Sequence, residues 1–225
     1  MGATFAEPAK RHARILLVDD HALIRYGMKE LLSHEPNLEV CGEAEDVDDA
    51  LLRVEATCPD LIIIDISLKH GNGIELIKRI SARHPNKRIL VSSMHDESLF
   101  AERALHAGAH GYLNKQEATD KLTEAIYHVL DGHIYLSVEM TDNFLQRMSG
   151  NHEPLEDLSV ERLTDRELEV FELIGQGLAT RQIAGRLHIS IKTADSHREH
   201  IRDKLNLANS AELSRHAVQW ILENH

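Results

Sequence analysis

The sequence has only two cysteines, Cys41 and Cys58, among 225 residues. That excludes a disulfide-stapled scaffold. Both lie in or beside apolar segments and match no metal-ligand spacing, so reduced filler residues in a cytoplasmic protein are expected. No apolar run approaches the roughly 20 residues that a membrane-spanning helix needs. The N-terminal stretch "MGATFAEPAKRHAR" also lacks the apolar core of a signal peptide, so no membrane partner is expected. Positive charge is scarce as well, with 25 Lys and Arg against 37 Asp and Glu, a formal net charge of -12.

The imbalance is uneven. Residues 161–225 carry nine basic and ten acidic side chains, leaving sixteen and twenty-seven in the first 160. Within the second part, Gln176 to Asn206 holds six basic against three acidic residues, a local +3. An acidic front and a locally basic tail segment point to a nucleic-acid contact in the tail. Sixteen histidines are present. Their closest pairs, His106/His110 and His197/His200, lack the further ligands of a zinc site and are read as solvated or packing residues.

Strand-like runs alternate with amphipathic stretches through the first 131 residues. The strands are Arg14–Val18, Leu38–Ala44, Leu61–Asp65, Arg88–Ser93 and Gly111–Asn114. The helices are Ala22–Leu32, Val47–Ala56, Ile74–Arg83, Ser98–Ala107 and Asp120–Leu130. Five such repeats with short connections predict a five-stranded parallel sheet, doubly wound and covered on both faces. "SVEMTDNFLQRM" predicts one short helix, and "SGNHEPLEDLS" has linker composition. Three or four helices without strands follow. Thr164 with Glu167 reads as a capping box, and Thr180, Ser190 and Asn209 can each cap a later helix. The expected division is a flexible 1–12, an α/β domain 13–131, a linker 132–160 and a small all-α domain 161–225.

Ligands of such sheets bind at the carboxyl ends of the strands. Those ends carry Asp19 and Asp20 in "LLVDDH", Asp65 in "DLIIIDISLKHGNG", Ser93, and Lys115 in "GYLNK". Crowded carboxylates repel one another, and a hard cation with oxygen ligands relieves this; Mg2+ suits two carboxylates and a phosphoryl oxygen. Lys115 adds a compensating charge and Ser93 a hydroxyl donor, which leaves Asp65 as a nucleophile able to form an acyl phosphate. "GNG", Gly71 to Gly73, reads as a turn and not as a phosphate cradle.

The "VDD" pair, "IIIDIS", "SSMHDE" and "AGAHGYLNK" resemble the receiver domain of two-component response regulators. The resemblance implies a flavodoxin-like fold with Asp65 as phosphoacceptor. It implies Mg2+ held by Asp20 directly, by Asp19 through water, by Asp65 and by the Ser67 backbone carbonyl. Ser93, Tyr112 and Lys115 then sense the phosphoryl group, with Tyr112 turning inward after modification, and Ser67 with His95 occupy positions that tune its lifetime. Lys69 and Gln116 depart from the family pattern, which often has proline at both places, but neither removes a reacting group.

The segment "LTDRELEVFELIGQGLATRQIAGRLHISIKTADSHREHIRDKLNLANSAEL" resembles the LuxR-type helix-turn-helix, and the whole chain is similar to NarL/FixJ-type regulators. Ala194, His197, Ile201 and Leu205 form an inward stripe, so Lys192, Asp195, Ser196 and Glu199 face outward, where side chains meet base edges if the helix enters the major groove. Thr193 lies beside them. Arg198, Arg202 and Lys204, with Thr180 and Arg181 on the preceding helix, suit phosphates. The last helix, Ser210 to Leu222, places Leu213, Ala217 and Trp220 on one face, which suggests a pairing surface. The resemblance implies a sensor histidine kinase, promoter DNA and RNA polymerase as partners, a homodimer when phosphorylated, and occlusion of the recognition helix by the unmodified receiver. It implies no turnover enzyme: the receiver catalyses only its own phosphoryl transfer and dephosphorylation.

Other readings compete. A phosphohydrolase of the haloacid dehalogenase type also uses a strand-end aspartate, but needs a second acid two residues on, where this chain has Ser67. A ligand-sensing regulator needs an apolar chamber that the five repeats leave no room for. A degenerate receiver serving as a phosphorylation-independent DNA-binding scaffold is the remaining alternative, opposed by the retained acids, hydroxyl and lysine.

Overall fold

The computed structural model describes residues 12–69, 71–148 and 160–224. The expected flexible N-terminus, apart from His12, and the linker run 149–159 lie outside the described residues. The first domain alternates β1 (Ala13–Val18), α1 (Ala22–Ser33), β2 (Leu38–Ala44), α2 (Val47–Thr57) and β3 (Leu61–Ile64). A two-stranded hairpin follows, β4 (Ser67–Leu68) with β5 (Gly71–Asn72), and then α3 (Gly73–Arg83). The domain closes with β6 (Arg88–Ser93), α4 (Glu97–Ala107), β7 (Tyr112–Asn114) and α5 (Ala118–Leu130).

The main sheet runs β2-β1-β3-β6-β7, all parallel. Strand alternation sorts the core. Ile15, Leu17, Leu61 and Ile63 pack with Met28, Leu122 and Ile126 of α1 and α5. Leu16, Val18, Ile62 and Ile64 pack on the opposite face with Val54, Ile77 and Phe100 of α2, α3 and α4. Successive strand residues point to opposite faces, so strands buried on both sides read as continuous aliphatic runs. The chain leaves β1 toward opposite edges of the sheet, which opens the ligand crevice between the carboxyl ends of β1 and β3. Element boundaries match the sequence expectations within a few residues. α4 begins at Glu97 because Asp96 is its N-cap, accepting from the Ser98 N–H.

α6 (Val138–Met148) is the short helix expected after the first domain. The second domain holds α7 (Asp165–Gly175), α8 (Thr180–Arg186), α9 (Ile191–Lys204) and α10 (Ser210–Asn224). Thr164 and Glu167 form the capping box, Ser190 caps α9, and Asn209 accepts from the first N–H groups of α10. Thr180 does not cap: Ala179 holds that position, and its N–H donates to Gln182 Oε1.

The pairing surface expected on α10 is corrected by the packing. Leu213, Ala217 and Trp220 are buried against α7, with the Trp220 ring edge-on to Phe171 at 6.3 Å. An amphipathic stripe must bury itself, and here it does so within its own domain. Exposing it to another chain would break the core.

Candidate functional site

The carboxyl ends of β1, β3, β6 and β7 converge on one acid pocket. Asp65, the first residue beyond β3, is almost fully buried. Its Oδ1 accepts a 2.8 Å hydrogen bond from Ser93 Oγ, and its Oδ2 a 2.6 Å bond from Lys115 Nζ. Lys115 also stands 2.6 Å from Asp19 Oδ2. All the residues expected at this pocket from the strand ends are thus brought together. His21 joins them: one ligand-capable atom from each of Asp19, Asp20, His21 and Asp65 lies within 4.8 Å of the others.

Electrostatics make the pocket short of positive charge. Burial lifts the Asp19 carboxyl above its ordinary range, and neighbouring Asp65 adds to this against the pull of Lys115. Burial would lower Lys115, but Asp65 and Asp19 outweigh it and hold the ammonium above its ordinary value. One lysine therefore serves two carboxylates. Asp19 Oδ2 is buried with Lys115 as its partner, and Asp20 Oδ1 is buried without a hydrogen bond. Three carboxylates sharing one lysine are a donor set that fits a hard divalent cation such as Mg2+.

The β4–β5 hairpin and α3 set the backbone behind the acceptor. Gly73 donates its N–H to the Ile66 carbonyl, and a Cβ on it would stand 2.1 Å from the Asp65 carbonyl oxygen. Only glycine allows α3 to start this close. Lys69 points away from the acceptor, pairing with Glu45 at 3.4 Å.

Tyr112 is already turned in. Its ring is buried and its hydroxyl donates to the His95 carbonyl at 2.9 Å. Burial, with Glu172 and Asp65 nearby, holds its hydroxyl well above the ordinary tyrosine range. The expected inward turn after modification is therefore not a remaining step for this conformer. His95 Nε2 is hydrogen-bonded to Ser67 Oγ at 2.8 Å.

The pocket does not stand alone, because α7 lies against it. His95 Nδ1 is hydrogen-bonded to Glu172, whose other oxygen accepts from the Asp96 N–H at 3.3 Å. Burial alone would lower His95, yet Glu172 raises it overall. Asn72 donates to Glu169, which is fully buried and raised by that burial against the pull of Arg166. Asp165 pairs with Lys78 at 3.0 Å and Arg103 at 3.1 Å. At the turn before α9, His188 Nε2 reaches Asp20 Oδ2 at 3.1 Å.

Sequence reading missed these contacts. The signal available was Asp165, Glu169 and Glu172 at helical 4/3 spacing, an acidic stripe that reads by default as a solvated face. No local signal linked His188 to Asp20, which lies 168 residues away in the chain.

On α9 the outward face is as expected. Lys192, Thr193, Asp195, Ser196 and Glu199 are exposed while Ala194 and Ile201 are buried. Arg181 is exposed on α8, and Thr180, Arg198 and Arg202 are half-buried. Lys204 differs: its ammonium is held by Glu167 Oε2 at 2.5 Å, which places it inside the domain's own polar network. The first domain touches α7 and the turn at His188, so the expected covering of the recognition helix is corrected to a contact beside it. The outward side chains of α9 stay exposed, with the first domain standing at the turn that leads into the helix.

The geometry agrees with comparisons to known proteins. A family described as "Response regulator receiver domain" matches residues 15–127, and one described as "Bacterial regulatory proteins, luxR family" matches residues 161–217. The chain is 34% identical over 207 residues to the transcriptional regulatory protein DegU of Brevibacillus brevis, covering 86% of this chain and 88% of that protein. It is 33% identical over 209 residues to the nitrate/nitrite response regulator protein NarL of Escherichia coli K12, covering 93% and 94%. Among solved structures, RcsB of Salmonella enterica serovar Typhimurium, bound to promoter rprA in the presence of phosphomimetic BeF3-, aligns with TM-score 0.61 at 26% identity. That alignment covers 92% of this chain and 99% of RcsB.

Proposed function

The chain belongs to the two-component response regulators of the NarL/FixJ type, which regulate transcription through a LuxR-type DNA-binding domain, and from that premise we propose that Asp65 accepts a phosphoryl group from a sensor histidine kinase and thereby releases the DNA-binding domain. The observation that carries this reading is the buried Asp65 carboxylate with Ser93 on one oxygen and Lys115 on the other. An Asp65 oxygen attacks phosphorus, the N–P bond of the donor phosphohistidine breaks, and the electron pair leaves on the imidazole. Lys115 keeps its proton and stays paired with the developing negative charge. Mg2+ in this pocket would supply the charge neutralisation that lets an anion approach three acids.

Release follows from the contacts of Ser93 and His95. A phosphoryl group adds about -1.5 to -2 charges and three acceptor oxygens. Ser93 Oγ and Lys115 Nζ, which now serve Asp65, become donors to it. Ser93 Oγ also accepts from the His95 N–H at 3.4 Å, so movement of Ser93 reaches His95 and its bond to Glu172. New negative charge beside a helix that presents buried Glu169 and Glu172 disfavours docking further. α7 lets go, and the second domain becomes free to meet DNA, where Lys192 can donate to guanine and Asp195 or Glu199 accept from cytosine.

The same reading places the protein in the cytoplasm, working as a homodimer when phosphorylated, with promoter DNA and RNA polymerase as partners. It is no turnover enzyme; the receiver catalyses only its own phosphorylation and dephosphorylation. Two assays test it. Intact-mass measurement with a small phosphodonor and Mg2+ should show one phosphoryl group on wild type and none on Asp65→Asn. DNA titration should show tighter binding after modification. Equal labelling of both chains refutes the acceptor, and equal affinity before and after favours the phosphorylation-independent scaffold.

A further inference from the structure

The DNA-binding domain contributes a side chain to the receiver's acid pocket. His188 sits at the turn between α8 and α9, and its Nε2 donates to Asp20 Oδ2 across 3.1 Å. Its partner carboxylate is deeply placed. The Asp20 side chain is only 5% exposed, and its other oxygen, Oδ1, is buried without a hydrogen bond. The Nδ1 of His21, a ring 65% exposed, stands 2.6 Å from that Oδ1 on the solvent side. One Asp20 oxygen is thus tethered by the second domain, while the carboxylate still contributes a ligand-capable atom to the pocket.

Carboxylates that bind cations are themselves commonly fixed by a hydrogen bond to the oxygen that does not bind, and losing such a contact typically weakens the metal by about 10–100-fold. We propose that His188 is a positioning residue for the receiver's cation, so that cation binding and docking of the DNA-binding domain are linked. The inference rests on the pocket reading given above and deepens it. Docking supplies the Nε2–H that fixes the Asp20 carboxylate at the edge of the pocket; undocking removes it. By reciprocity, whatever factor docking adds to cation affinity, the cation adds to docking. The resting, docked chain is then the form best primed with the cation that phosphoryl transfer needs. Once α7 has let go, the pocket holds its cation less tightly.

Mn2+ serves as the probe, because its free-ion electron paramagnetic resonance signal reports bound and free metal directly. His188 has a left-handed backbone, φ 51°, so His188→Asn removes the imidazole while keeping a residue that tolerates this conformation. The full-length His188→Asn chain should bind Mn2+ about tenfold or more weakly than wild type. His188→Gln, whose amide can donate over a similar reach, should recover most of the loss, which a general structural defect would not permit. Glu172→Gln, which loosens docking elsewhere, should weaken Mn2+ in the same direction. Equal or tighter binding by His188→Asn overturns the proposal, as does failure of His188→Gln to recover affinity. Wild type failing to bind Mn2+ at all overturns the pocket reading itself, and this inference with it.

Discussion

Glu172→Gln tests release of α7 in the unmodified chain, without a phosphoryl group on Asp65. The substitution keeps shape and volume but removes the charge that His95 faces across the domain contact. Glu172 is buried, and its two oxygens accept from His95 and the Asp96 N–H. A hydrogen bond to a charged group contributes about 1.5–3 kcal/mol net. At about 1.4 kcal/mol per tenfold, losing it shifts the docked–open equilibrium by roughly ten- to hundredfold toward open. Apparent DNA affinity scales with the fraction of competent chain. Unmodified Glu172→Gln should therefore bind DNA more tightly than unmodified wild type, by up to that factor and no further than the phosphorylated protein. Fluorescence anisotropy with labelled operator, on unmodified and phosphorylated forms of both chains, reads this directly. The two phosphorylated chains should match, because neither retains the contact. If unmodified Glu172→Gln binds no better than wild type, or if phosphorylated affinities change equally, α7 docking does not limit DNA binding.

Other perturbations probe separate links. Gly73→Ala puts a methyl group against the Asp65 carbonyl; overpacking of this kind costs about 1–3 kcal/mol, so thermal melting and phosphodonor labelling should both fall, and wild-type labelling would refute the tight approach. Trp220→Ala should cost about 3–5 kcal/mol of stability by chemical denaturation, whereas a dimer-surface tryptophan would leave stability unchanged. Lys192→Ala should reduce sequence preference, while Arg181→Ala should weaken binding to all sequences and flatten the salt slope by about one unit; an unchanged slope would contradict the phosphate role. His110 is held below its ordinary histidine value by burial, with Arg88 adding to this. Its unfolded form takes the proton first, so its contribution is intact above about pH 6.5 and is lost as pH falls below. His110→Gln should flatten that part of the stability–pH curve, measured by denaturant titration.

The strand-end chemistry was legible because the sheet rule places it. Once Leu61–Ile64 read as a buried parallel strand, Asp65 had to emerge beside the ends of β1 and β6. Asp19, Ser93 and Lys115 followed from the same alternation. The outward face of α9 was legible for a similar reason, since a 3.6-residue period separates Lys192 and Glu199 from Ala194 and Ile201. Periodicity says which face is buried but not by what. The Leu213–Ala217–Trp220 stripe could face a second chain or its own domain, and only the packing of Phe171 decides. Asp165, Glu169 and Glu172 show the converse, an acidic stripe that lies under another domain. His188 had no pattern at all, because a contact between distant turns depends on how two finished domains meet. The inward Tyr112 is a choice of rotamer, which residue identity leaves open.

The central claim is that a phosphoryl group on Asp65 undocks α7. Spin labels at the exposed positions Leu52 and Leu222, in a chain with Cys41 and Cys58 replaced, report the distance between the domains by pulsed electron paramagnetic resonance. Diluting the labelled chain with unlabelled chain keeps the distance intramolecular. The account predicts a longer and broader distance distribution on adding a small phosphodonor with Mg2+, and none of this change in the Asp65→Asn chain. A distribution that is unchanged in wild type, while mass measurement confirms one phosphoryl group per chain, would contradict it.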